Sequence, residues 1–240
     1  MIEIKNLTVG FNGDTVLENI SLVIPQNEIT VIVGRSGCGK SVLMKTIERL
    51  FYPFSGKIFV DGIDIFSLKR KEMKEMRKRL AMLFQGSALL DSLSVFQNVA
   101  LPLYEHTDLS EEKIFNKVTE NLKLMGLEDV LDKMPAELSG GMKKRVALAR
   151  AIILKPEYII YDEPTTGLDP IIADEIIKLI LKMRKAYNLT SIIVTHDLDC
   201  IRKIAGRVAM IHEKKIIFDG SYNEFKNSAD IRVQSFMRFS

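Results

Sequence analysis

The sequence predicts an α/β fold with a mostly parallel core sheet, a small antiparallel N-terminal sheet and a helical insertion near 88–150. Three observations predict it. The run "EITVIVG" (28–34) is continuously apolar and ends in a glycine-rich turn, the pattern of a strand buried on both faces. Further short apolar runs, "EYIIYDEP" (157–164), "SIIVTHD" (191–197), "RVAMIHE" (207–213) and "KIIFDG" (215–220), recur through the C-terminal part of the chain. Between 88 and 150 no convincing core strand appears, and helical patterns take over.

The elements follow in order. "IEIKNLTVGF" alternates and reads as a strand, and "VLENISLVIP" is a second strand that Pro25 ends. A helix is expected from Lys40 to Leu50. "GKIFVDGIDI" (56–65) reads as a hairpin turning at Asp61-Gly62. In "KRKEMKEMRKR" (69–79), seven bases accompany two acids, and Met73, Met76 and Leu80 fall at helical spacing. That is an amphipathic surface helix with a solvated basic face, or one near anionic headgroups. "SEEKIFNKVTENLKLMGL" is a helix with Ser110 as N-cap and a stop at Gly126. Another follows "LSGG", and a third runs from Pro170 to Tyr187 with Asp169 as its N-cap.

Composition narrows the function. The 240 residues carry a net charge of +3, only two cysteines, Cys38 and Cys200, and no apolar run long enough to span a bilayer. Few cysteines argue for a reducing compartment, and no signal-peptide core precedes the first strand. A cytoplasmic protein is expected, with any membrane contact made through a partner. The basic segment is too narrow for duplex nucleic-acid binding.

Two stretches carry chemistry. "GRSGCGKS" matches G-x-x-x-x-G-K-[ST] between a strand and a helix. Gly34, Arg35, Ser36, Gly37, Cys38, Gly39, Lys40, Ser41 and Val42 are the expected nucleotide contacts. Backbone amides curl around phosphate oxygens, the helix N-terminus adds positive charge, Lys40 meets the β/γ-phosphates and Ser41 offers a hydroxyl to Mg²⁺. "YIIYDEP" places Asp162 and Glu163 at the carboxyl end of a buried strand. Asp162 is expected to hold the magnesium shell and Glu163 to act on the attacking water. His196 follows another strand, which should lie beside the phosphate loop.

The phosphate loop, "LSGG", "YIIYDEPTTGLDP" and "VTHD", in this order, resemble the ATP-binding cassette (ABC) ATPases over essentially the whole chain. The resemblance implies one P-loop NTPase (RecA-like) domain over 1–240. In it 1–87 and 151–240 form the core and β subdomain, and 88–150 the signature subdomain. It implies Phe11 as the aromatic that stacks on adenine, Gln85 as the Q-loop glutamine that also meets Mg²⁺, Asp169 in the D-loop and His196 as the switch histidine. It further implies ATP as ligand and a head-to-tail homodimer. Each ATP is then met in trans by Leu138, Ser139, Gly140, Gly141 and Met142 of the other chain, while Lys143 and Lys144 read as solvated bases.

"GKSVLMKTI", "LFQGSALLDSLSVFQNVALPL" (83–103), LSGGM in place of LSGGQ and the ending "IRVQSFMRFS" resemble the Mla group of ATPase subunits. That group works with MCE-domain proteins to move phospholipid between bacterial membranes. This implies an integral membrane permease docking near 83–103, an MCE-domain partner and a position on the cytoplasmic face of the inner membrane. Another ABC importer or exporter, or a non-transport ATPase of iron–sulfur assembly, stays open.

Overall fold

The structure, a computed structural model, describes residues 1–239. Two sheets share the chain. The first has order β2-β1-β4-β5 and consists of β1 (Ile2–Phe11), β2 (Asp14–Ile24), β4 (Ser55–Val60) and β5 (Ile63–Asp64), all antiparallel. The Asp61-Gly62 hairpin turn forms as expected, with φ of 49° and 80° at the two residues, the positive pair that a tight two-residue turn requires. The apolar positions of β1 and β2, Ile2, Ile4, Leu7, Leu17, Ile20 and Ile24, are buried against α1 (Lys40–Ile47), whose Leu43, Met44 and Ile47 face them.

The second sheet has six strands in the order β10-β9-β3-β8-β7-β6. β3 (Ile29–Val33), β6 (Leu80–Leu83), β7 (Tyr158–Asp162), β8 (Thr190–Val194) and β9 (Arg207–His212) are parallel, and β10 (Lys215–Ser221) pairs antiparallel at the edge. All five residues of β3 are buried. Val31 and Val33 join the core under the helices, while Ile32 faces the layer containing α1. A strand covered on both faces has no polar side to show, which is why its sequence reads as an unbroken apolar run.

The stretch without strands folds as α3 (Val95–His106), α4 (Glu111–Leu124) and α5 (Gly140–Ile152). Val99, Leu103, Ile114, Val118, Leu122 and Val146 close its interior, continuous with the core under the sheet. α2 (Arg70–Arg79) buries Met73 and Met76 as the spacing demands. α6 (Pro170–Tyr187) is capped by Asp169, whose Oδ1 accepts from the amides of Ile171 and Ile172 at 3.1 and 3.0 Å.

Several expectations need correction. α1 ends at Ile47, not Leu50, because Arg49 takes a left-handed φ of 53° and the Leu50 amide turns back to the Lys45 carbonyl. Leu80 is not the end of a helical stripe but the first residue of β6, an edge strand that exists because β7 pairs with it. α7 (Leu198–Ile204), capped by Asp197, was not legible as a helix. α8 (Tyr222–Lys226) and α9 (Ile231–Phe239) complete the described chain, and Ser240 of the ending lies outside it.

Candidate functional site

The phosphate loop joins β3 to α1 at the carboxyl end of the parallel strands, the side where such sheets bind ligands. Gly34 must be glycine. Its φ is 154°, and a Cβ there would stand 2.4 Å from the Ile211 carbonyl oxygen. Gly39, with φ of 103°, is the N-cap of α1, and no side chain caps the helix start. The first amides of α1 are therefore free to meet an anion. Lys40 is buried and folds over the loop, its Nζ donating to the carbonyls of Gly34 at 2.7 Å and Arg35 at 3.1 Å. Arg35, Ser36 and Gly37 are exposed along the rim. Cys38 is half-buried, which pushes its thiol above the usual range. Val42 packs its side chain inward against the layer containing α1, so what it offers a phosphate is main chain.

Ser41 Oγ lies 3.5 Å from Asp162 Oδ1. Burial raises the Asp162 carboxyl, and the neighbouring Glu163 raises it further. A hydroxyl and a buried carboxylate facing each other are hard oxygen donors, and a divalent cation would relieve the cost of ionising Asp162 there. Among the described residues no cluster of three or more His, Cys, Asp or Glu side chains forms a metal cage. Two hard oxygen donors on one side suit Mg²⁺, an ion that keeps waters and shares phosphate oxygens rather than filling an all-protein site.

Glu163 is buried and has a left-handed φ of 49°. Its amide donates to the Val194 carbonyl at 2.9 Å, Thr166 Oγ1 donates to its Oε2 at 3.0 Å, and its Oε1 stands 2.8 Å from His196 Nδ1. β8 does lie beside β3, as the sequence suggested. Its following loop thereby brings His196 to Glu163. A second link, Thr165 Oγ1 donating to Asp197 Oδ2 at 3.0 Å, joins the same two loops.

Phe11 ends β1 partly exposed, its ring edge-on to Phe51 at 4.9 Å between centroids. Gln85 follows β6 and is exposed. At the signature turn Leu138 is buried, and Ser139 Oγ caps α5 by accepting from the Met142 amide at 3.3 Å. A Cβ on Gly141 would meet Ile172 Cγ2 at 2.6 Å, so the turn packs on the start of α6. Gly140 begins α5, and Met142 packs partly against the core. Among the described residues no hydrogen bond joins Ser139–Gly141 to the phosphate loop.

Lys144 corrects the sequence reading. It is not solvated: only 5 % of it is exposed, and its Nζ donates to the carbonyls of Gln85 and Glu163. The available signal was spacing, since Lys144 lies three residues after Gly141 and four before Leu148, on the buried stripe of the helix. The 83–103 segment divides. Val95 is buried and Leu89 and Phe96 pack partly against the core, whereas Phe84, Leu101 and Pro102 line a groove with Arg77, His106 and Arg150.

The family pattern "ABC transporter" matches residues 17–166. The chain belongs to this family. It is an ABC ATPase, an ATP-binding subunit of a transporter. The intermembrane phospholipid transport system ATP-binding protein MlaF of Haemophilus influenzae is 43% identical to this ATPase over 238 residues, covering 99% of this chain and 90% of the relative. The methionine import ATP-binding protein MetN of Haemophilus ducreyi is 40% identical over 243 residues, covering 99% and 70%. A solved dimeric ATP-binding cassette in a post-hydrolysis state, bound to ADP and Pi, superposes with a TM-score of 0.84 at 30% identity, covering 92% of this chain and 98% of that one.

Proposed function

We propose that this ATPase drives phospholipid transport across the bacterial cell envelope, with a membrane permease and an MCE-domain partner. The observation that carries the reading is the 43% identity to an MlaF over nearly the full length of both chains. No helix of the described residues is long and apolar enough to cross a membrane. The groove beside Phe84, Leu101 and Pro102 is where the permease's cytoplasmic helix docks, holding the subunit on the inner face of the inner membrane. Methionine import is the second reading, favoured by the 40% identity to a MetN.

The chain's residues divide the work. The α1 amides and Lys40 hold the β/γ-phosphates, and Phe11 stacks on the adenine. Ser41, Asp162 and the Gln85 side chain hold Mg²⁺, which when bound neutralises charge on the phosphates. Glu163 orients and polarises the attacking water, and His196 holds the Glu163 carboxylate in place and reaches toward the γ-phosphate. Asp169 spends its carboxylate on capping α6, so its part is to fix the turn that a second copy meets. The signature turn supports the trans arrangement. Its glycines open the start of α5 to an anion, yet among the described residues it makes no hydrogen bond to the chain's own phosphate loop. A second copy presenting Ser139–Met142 would complete each site around a two-fold axis. ATP then favours the closed pair because its γ-phosphate touches both faces only there.

The test is expression with a permease and an MCE-domain subunit from the same organism, followed by reconstitution into vesicles. ATP-dependent movement of a labelled phospholipid to acceptor membranes is the expected result. Turnover stimulated by methionine and its binding protein, with no lipid movement, would transfer the assignment to the second reading.

A further inference from the structure

Lys144 is a cation placed inside the core at the edge of the nucleotide site. Among the described residues it forms no ion pair. Two of its donors instead meet main-chain oxygens of two other segments, Gln85 after β6 and Glu163 after β7, the latter at 3.4 Å. Burying a lysine is costly, and an apolar side chain of the same length would fill the space without that cost. Burial pushes its amine down, while Asp162 and Glu163 push it back up. What holds the ammonium in place is the pair of carbonyls it donates to.

The helix that supplies it is α5, whose first residue is Gly140 of the signature turn. One turn separates the surface offered to a second copy from the anchor on this chain's own site. At the far end of the anchor, Glu163 holds a left-handed backbone, sparsely populated for a residue with a side chain. Such a conformation persists only where its surroundings fix it. The Val194 carbonyl fixes the amide side, and Lys144 fixes the carbonyl side.

We propose that Lys144 is a positioning residue: its ammonium fastens the signature helix to the carbonyls of Gln85 and Glu163, so that movement of the helix is transmitted to the backbone that aims the Glu163 carboxylate. Each chain's signature helix then acts on two sites, on the partner's nucleotide through its first turn and on its own Glu163 through Lys144. The inference rests on Glu163 acting on the attacking water.

The experiment is steady-state ATP hydrolysis by the full chain, with Lys144→Met removing the donors and Lys144→Gln restoring two of them without charge. Melting temperature and fluorescent-nucleotide binding are measured alongside. Lys144→Met is expected to lower kcat by about tenfold or more with KM for ATP changed by less than about threefold, and Lys144→Gln to recover part of the loss. Should Lys144→Met fail to fold, Lys144→Gln is expected to show the same split, with kcat lowered at least about threefold. A folded Lys144→Gln and Lys144→Met that both keep full kcat, or that lose affinity with kcat unchanged, would overturn the proposal. Glu163→Gln is run in parallel. If it keeps turnover, the role of Glu163 fails; if it loses turnover while the Lys144 variants keep theirs, only the present inference fails.

Discussion

His196 Nδ1 stands 2.8 Å from Oε1 of Glu163, and the other oxygen of that carboxylate accepts from Thr166. Both oxygens of the carboxylate are thus held by residues from two different loops. Only 10 % of the Glu163 side chain is exposed, against 53 % for His196, so the histidine shields the carboxylate from the solvent side. Glu163→Gln is expected to lower turnover by about a hundredfold or more while ATP still binds and the pair of subunits stays closed. His196→Ala, which leaves the carboxylate in place but less constrained, is expected to lose about ten- to a hundredfold. Single-turnover hydrolysis and gel filtration with ATP measure both. Full turnover in Glu163→Gln would remove it from the chemistry.

Lys40 donates to two carbonyls of the loop. Lys40→Ala is expected to weaken ATP binding by about tenfold or more, because it removes the point charge proposed to meet the β/γ-phosphates. Isothermal titration reads the change, and unchanged affinity would leave the loop amides as the whole phosphate site.

A Cβ on Gly140 meets only Leu168 Cδ2 at 3.5 Å, an ordinary contact, so substitution there leaves the fold intact. In the proposed trans arrangement Gly140→Asp sets a carboxylate against the partner's γ-phosphate, and it is expected to abolish turnover with the melting temperature unchanged. Mixed with Lys40→Ala, it should regain activity, since one complete site forms from the intact loop of one chain and the intact signature of the other. A mixture that stays dead although hetero-pairs form counts against the trans site.

Glu48 closes α1 almost fully buried, and burial lifts its carboxyl to about 8 while Arg77 on α2 works in the opposite direction. The folded chain therefore holds a proton that the unfolded chain has released between about pH 4.5 and about 8. Its contribution makes stability fall as pH rises through that window and level off above it. Glu48→Gln lacks this slope. In denaturant titrations the variant should gain on the parent from pH 5 to pH 9, by roughly a few kcal/mol. A pH-independent difference would mean that Glu48 stays ionised when folded.

Phe84 lines the groove between the core and α3. Phe84→Asp is expected to abolish co-purification with the permease while nucleotide binding survives. Persistent association would place the permease elsewhere.

Some features are enforced by short stretches of chain acting alone. Gly37 and Gly39 need the positive φ that a side chain disfavours, and Asp169 needs only its own helix to cap. These are local demands, and local pattern records them. The remaining features depend on which segments meet in three dimensions. β6 is a four-residue run that becomes a strand only because β7 lies beside it, and α1 stops early at a left-handed Arg49 that no pattern marks. The pairing of His196 with Glu163 spans 33 residues and is set by β7 and β8 being neighbours in the sheet, whereas that of Lys144 with Gln85 spans 59 and is set by α5 packing beside β6. A lysine looks solvated in a string of letters. Whether it is depends on which carbonyls the fold brings within reach of its ammonium, because a buried charge survives only where such partners are already in place.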